Sequence, residues 1–113
     1  ARKGVEKELI KRVDSILKNT DIELNHESKI IWKNNPIARL KKGNDYLSPG
    51  IEIIADESLN EESKSKLNLF LNKWLTDYIN EVLGDLIKLT NHKINNQYLR
   101  GYYFLLTYYP EFF

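Results

Sequence analysis

Three groups of side chains in this 113-residue chain have types and spacings that could do chemistry. Asp56-Glu57 and Glu61-Glu62 are neighbouring carboxylates of the kind that share general acid and base work. They stand at the start of a predicted helix, where carboxylates meet the positive end of the helix dipole, so their predicted role is structural. His26 and His92 are far apart, and neither belongs to an HxxH or HExxH spacing, so His92 reads as an exposed helix-end residue. The third group is a basic strip. Lys29, Lys33, Arg39, Lys41 and Lys42 alternate with Ile30, Ile31, Trp32, Ile37 and Leu40. A nucleic-acid backbone is attracted to such a strip, because phosphate neutralisation drives most non-specific binding. The other reading is a solvated strand face.

Composition narrows the chemistry further. Zero cysteines exclude disulfide scaffolds, zinc ribbons and cysteine nucleophiles. The glycines at 4, 43, 50, 84 and 101 form neither a phosphate-binding loop nor a dinucleotide fingerprint. Serines and threonines lack a nucleophile-elbow motif and a neighbouring histidine. The sequence therefore predicts no catalytic and no metal-binding residue. Among the aromatics, Trp32 and Tyr46 adjoin the basic strip and are the candidates for stacking on a base, with Trp32 also read as the hairpin's anchor. The others fall on helical apolar stripes, where core or interface packing is the expected role.

The net charge of +1 hides an asymmetry. Residues 1–50 carry eleven Lys or Arg against seven Asp or Glu, and residues 51–113 carry six against nine. No apolar run approaches the roughly 20 residues of a membrane span. The length suits a single domain over residues 1–113. Absence of Met and the aromatic ending Tyr108-Tyr109-Pro110-Glu111-Phe112-Phe113 are read as marks of a segment from a longer protein, the other reading of the ending being a tail that packs back onto the domain.

The periodicity predicts the elements that position these groups. Val5, Leu9, Val13, Ile16 and Leu17 recur at helical steps, predicting a helix over 4–18. Lys29–Lys33 and Ile37–Lys41 read as a hairpin turning at Asn34-Asn35, with Trp32 opposite Ile37 and Ile31 opposite Ala38. Ser48-Pro49-Gly50 is a turn signal before a third strand, Ile51–Ala55. Ser58-Leu59-Asn60-Glu61 fits a capping box, with Asn60 an alternative cap, for a long helix near 59–90. Its apolar stripe from Leu67 to Leu89 is wider than a coiled-coil seam and predicts burial. Gly84 predicts a kink or a close approach. A shorter helix near 95–109 follows, in which Gly101 allows another element to approach closely. The expected fold is α+β and predominantly helical, with a small antiparallel sheet of a hairpin plus a third strand packed against the long helix.

Three pieces of the sequence resemble a known pattern. They are Ile31-Trp32-Lys33-Asn34-Asn35-Pro36-Ile37-Ala38-Arg39-Leu40, Gly43-Asn44-Asp45-Tyr46-Leu47-Ser48-Pro49 and Ile54-Ala55-Asp56-Glu57. They resemble a region beyond the motor core of a group of alphaproteobacterial superfamily II helicases, similar to the RNA helicase of the mitochondrial degradosome. In that family a W-x-G-x-P-[VI]-A-R-L hairpin precedes a G-x-D-x-L-x-P turn, an LADE-type strand end and a long Leu-rich helix. An R-G-[IL]-A-F-x-L segment follows, to which Arg100-Gly101-Tyr102-Tyr103-Phe104-Leu105-Leu106 is similar. The likeness spans roughly residues 28–107. Two departures stand out. The family's turn glycine is Asn34 or Asn35 here, and its Ala-Phe is the bulkier Tyr103-Phe104.

The resemblance implies a non-catalytic accessory C-terminal domain of an ATP-dependent RNA or DNA helicase, located in the cytoplasm. ATP and Mg would belong to the motor and not to this segment. The implied partners are the motor domains of the same chain and single-stranded RNA or DNA, with no membrane and with a homo-oligomer as a further assembly. The expected phosphate contacts are Lys29, Lys33, Arg39, Lys41, Lys42 and Arg100. The competing expectation is a protein–protein interaction or oligomerisation module that uses the apolar helical stripe.

Overall fold

The computed structural model describes residues 13–18, 21–43, 50–84 and 97–113. The fold is α+β, with a four-stranded antiparallel sheet and helices. Residues 13–18 are helical and form α1. Then come β1 (Ile22–Leu24), β2 (Lys29–Trp32), β3 (Asn35–Lys42), β4 (Ile51–Ala55), α2 (Glu61–Val82), α3 (Gln97–Tyr108) and a 3₁₀ turn at Pro110–Phe112. Strands lie in chain order, β1-β2-β3-β4. The chain divides into two compact units, one of residues 1–40 and 53–72 and the other of residues 41–52 and 73–113.

In the first unit the sheet departs from expectation twice. A strand precedes the hairpin: β1 pairs with β2, setting Ile22 opposite Trp32 and Leu24 opposite Ile30. Three residues are too few for period-two alternation to announce a strand. The connecting loop is held locally instead. The Asn25 side-chain oxygen accepts from the backbone N–H groups of Glu27 at 3.0 Å and Lys29 at 2.9 Å. Such side-chain capture is why Asn favours turns.

The second departure concerns register. The hairpin turns at Lys33-Asn34, not Asn34-Asn35, and both turn residues are left-handed, with φ of 47° and 65°. Two consecutive positive φ values define the two-residue turn whose twist matches the flanking strands. The Asn35 amide donates to the Lys33 carbonyl at 3.0 Å. Trp32 therefore faces Asn35 and Ile31 faces Pro36, correcting the expected Trp32–Ile37 and Ile31–Ala38 pairs. Beyond a shift in register, Ile30 pairs with Ala38 and Lys29 with Arg39, leaving Ile37 as the extra residue of a bulge. Pro36 has no N–H to give the ladder, and proline in sheets is tolerated at such irregular places.

This register sorts the faces. Ile30, Ile37 and Leu40 are buried to 2% exposure or less, while Lys29 and Arg39 are exposed. Leu67 and Leu71 in the first half of α2 are fully buried, and burial of each such side chain stabilises by roughly 1.5–3 kcal/mol. The capping choice falls on Asn60, whose side-chain oxygen accepts the Ser63 N–H at 2.7 Å. Ser58 instead donates its backbone N–H to the Asp56 carboxylate at 3.3 Å.

The second unit contains the latter half of α2, with Leu75, Ile79 and Leu83 buried, together with α3 and the β3–β4 tip. At that tip the Gly43 N–H donates to the Gly50 carbonyl at 2.7 Å. The helix ends at Val82, two residues before Gly84, where a kink or a close approach was expected; among the described residues a Cβ on Gly84 would meet nothing within 4 Å, so no close approach is seen there. Gly101 does mark a close approach, because a Cβ there would lie 3.2 Å from Ile51 Cγ1. The predicted residues 4–12 of the first helix, 85–90 of the long helix and the start of the last helix lie outside the described residues.

The double substitution Lys33→Asn, Asn34→Gly supplies the pair that this turn prefers. It is expected to raise stability by about 1 kcal/mol, read as a higher urea midpoint at constant slope. A lower midpoint would contradict the turn geometry.

Candidate nucleic-acid interface

The six expected phosphate contacts fall into two sets. Lys29, Lys33 and Arg39 belong to the first unit, and Lys41, Lys42 and Arg100 to the second. In the first set, Lys29 and Arg39 are brought together. They sit directly opposite each other across β2 and β3 on the exposed face. Residues so placed have Cβ atoms about 4.5–5.5 Å apart, and like charges there are destabilising. Lys29 has a partial counterion in Glu27 at 3.6 Å, an exposed pair of the kind worth about 1 kcal/mol at most. Lys33 lies apart, in the turn, with its ammonium 4.8 Å from the centre of the Trp32 ring.

Lys29 and Arg39 border an open cleft of about 270 Å³, whose remaining walls are Pro36, Ala38, Ile54, Ala55, Asp56 and Glu57. The turn after β4 is fastened here by the Asp56 N–H donating to the Ile37 carbonyl at 2.9 Å. Bulge and cleft are thus one feature, since the residue that widens β3 also accepts the bond that seats Asp56. The cleft has a cationic wall on the strands and an acidic wall after β4. The acidic pair read as a helix-start feature lies before α2, and Glu61 and Glu62 occupy its first turn. Asp56 and Glu57 also face the cations, a placement that spacing alone did not reveal.

The second set is more dispersed. Lys41 and Lys42 are half-buried neighbours at the end of β3, and the Lys42 ammonium rests 4.5 Å from the centre of the Phe113 ring. Arg100 donates to the Asn80 side-chain oxygen at 2.7 Å, tying α3 to α2. Its guanidinium is committed to a helix–helix contact, so it is a positioning side chain first.

Of the aromatics singled out beside the strip, Trp32 is buried, at 7% exposure, and its indole N–H has no acceptor among the described residues. It anchors the hairpin. Tyr46 lies outside the described residues. Sequence reasoning missed the accessible rings, which are in α3 and the end of the chain. Tyr103 and Phe113 are 42% and 50% exposed, and Tyr102 meets both edge-on, with centroid separations of 6.1 and 5.2 Å. A separate cluster surrounds the buried Phe104, which touches Tyr78, Tyr108 and Tyr109. Only long-range folding sorts rings of one helix into these two sets.

Among the described residues no group of three or more His, Asp or Glu side chains could hold a metal ion. No helix among them is long and apolar enough to cross a membrane. Comparison with known proteins gave no match: no family model, no curated protein and no solved structure is significantly similar to this chain.

Burial pushes the Tyr109 hydroxyl up to about 12, with Tyr78 and Glu111 adding to the effect. The folded state therefore keeps a proton that the unfolded chain releases near 10, so stability is lost as pH rises through that interval. Between about pH 10 and about pH 12 the urea midpoint should fall, and Tyr109→Phe should lessen that fall. An equal fall in both proteins would remove Tyr109 as its source.

Proposed function

We propose that this chain is a non-catalytic accessory domain of a cytoplasmic, ATP-dependent superfamily II helicase, binding or positioning nucleic acid beside the motor. Its helicase parentage rests on the motif resemblance over the hairpin, the turn, the strand end and the Arg100-Gly101 segment. One observation supports the nucleic-acid role above the others: Lys29 opposite Arg39 on the exposed face of β2 and β3. A fold that sets two cations against each other gives up stability that a bridging phosphate restores. Contact is electrostatic, and ATP and Mg are handled by the motor. Asp56 and Glu57 repel a strand from the far wall of the cleft and so confine it to the strand side.

A second reading, a protein–protein or oligomerisation module, is favoured by α3. Leu99, Tyr103 and Leu106 are all about 40% exposed, at helical spacing. In α2, Leu67, Leu71, Leu75, Ile79 and Leu83 are buried within the chain, so the open apolar positions that favour this reading are those of α3.

Charge reversal tests the main reading. Lys29→Glu with Arg39→Glu should weaken binding of single-stranded RNA by about tenfold or more in an anisotropy titration. It should also flatten the dependence of log K on log salt by roughly 0.7 for each phosphate that is no longer neutralised. Lys41→Glu with Lys42→Glu should weaken binding in the same sense. Unchanged affinity in both variants would defeat the assignment, and self-association by light scattering without RNA affinity would favour the second reading.

A further inference from the structure

We infer that the rings of Tyr103 and Phe113, with Lys42 beside the latter, form a stacking surface for the bases of a single strand. This inference rests on the nucleic-acid reading and adds to it a second contact of different chemistry, made to bases and not to phosphates.

The argument starts from exposure. Aromatic side chains are normally placed where at least one end is buried, yet Tyr103 and Phe113 leave about half their area open. They are nevertheless held in fixed directions. Tyr102 packs edge-on against both, with interplanar angles of 83° and 77°. An oriented, open ring is what base stacking needs, since every base has a π-face and little entropy remains to be lost on contact.

Charge selects the occupant. Lys42 places its ammonium 4.5 Å from the Phe113 ring centre, and Lys41 precedes it in the chain, half-buried. Neither lysine forms an ion pair with an acidic side chain among the described residues. An apolar protein partner covering the Phe113 ring would bury the Lys42 cation with no acidic partner among the described residues, which is costly. A nucleic-acid strand brings its own anion, so that a base can lie on a ring while the neighbouring phosphate meets the ammonium.

The test compares a short single-stranded oligouridylate with an abasic strand of the same length, titrated against the full chain. The wild-type protein should bind the base-bearing strand about fivefold or more tightly than the abasic one. Tyr103→Ser and Phe113→Ser, each at an exposed position, should remove that preference while leaving abasic binding unchanged. Lys29→Gln with Arg39→Gln should weaken both strands and keep the preference. Equal wild-type affinity for the two strands would overturn this inference and leave the phosphate reading standing. Failure to bind either strand would overturn both. A dimer that dissociates on Tyr103→Ser, with no strand bound, would assign the rings to a protein contact and overturn the inference as well. Circular dichroism of each variant, unchanged from wild type, shows that a vanished preference is not a loss of folding.

Discussion

The pairing register of β2 and β3 is the constraint on which the first unit depends. Side chains alternate faces along a strand, so a slip of one residue would exchange the inward and outward sets. With the turn at Lys33-Asn34 and the bulge at Ile37, Ile30 and Leu40 are buried and Lys29 meets Arg39 outside. Had the expected register held, Arg39 would face Ile30 and Lys29 would face Leu40. No cation pair would then exist. The bulge also presents the Ile37 carbonyl to Asp56, which seats the turn before α2 and shapes the cleft. One left-handed turn thus sets core, charge pair and cleft together.

The second unit uses its aromatic residues in two ways. Phe104, at 1% exposure, gathers Tyr78, Tyr108 and Tyr109 around it, and Trp74 stacks on Tyr78 at 5.4 Å. Edge-to-face and offset pairs of this kind add about 0.5–1.5 kcal/mol each beyond their buried area. Burial in that cluster is also what holds the Tyr109 proton. The outer rings, Tyr102, Tyr103 and Phe113, contribute less to the core and more to the surface. Gly101 allows this arrangement by letting α3 approach Ile51, where a side chain would crowd the strand.

Strong, local signals were legible. Ile51–Ala55 is rich in isoleucine and follows the turn signal Ser48-Pro49-Gly50 in the sequence, and it is β4 to the residue. The apolar spacing from Leu67 onward announced α2 and its burial, and Gly101 announced a close approach. What sequence could not show depended on geometry between distant residues. The hairpin was visible in its β-branched runs, but both asparagines tolerate positive φ, so the turn's position could not be told apart from its neighbour. β1 was too short to alternate visibly. The basic residues of the interface were identifiable by type, whereas the partnership of Lys29 with Arg39 came only with the register. Likewise, nothing local joins Lys42 to Phe113, which are 71 positions apart yet meet through space.

A double-mutant cycle on the unfolding free energy, using Lys29→Gln and Arg39→Gln at low salt without nucleic acid, addresses the central claim most directly. Each single substitution relieves the repulsion, and the second adds nothing further, so the account predicts a repulsive coupling of about 0.2–1 kcal/mol. That coupling should shrink as salt rises. A coupling of zero, or a favourable one, would mean that the two cations are already neutralised by the acidic wall or never meet, and would contradict the account.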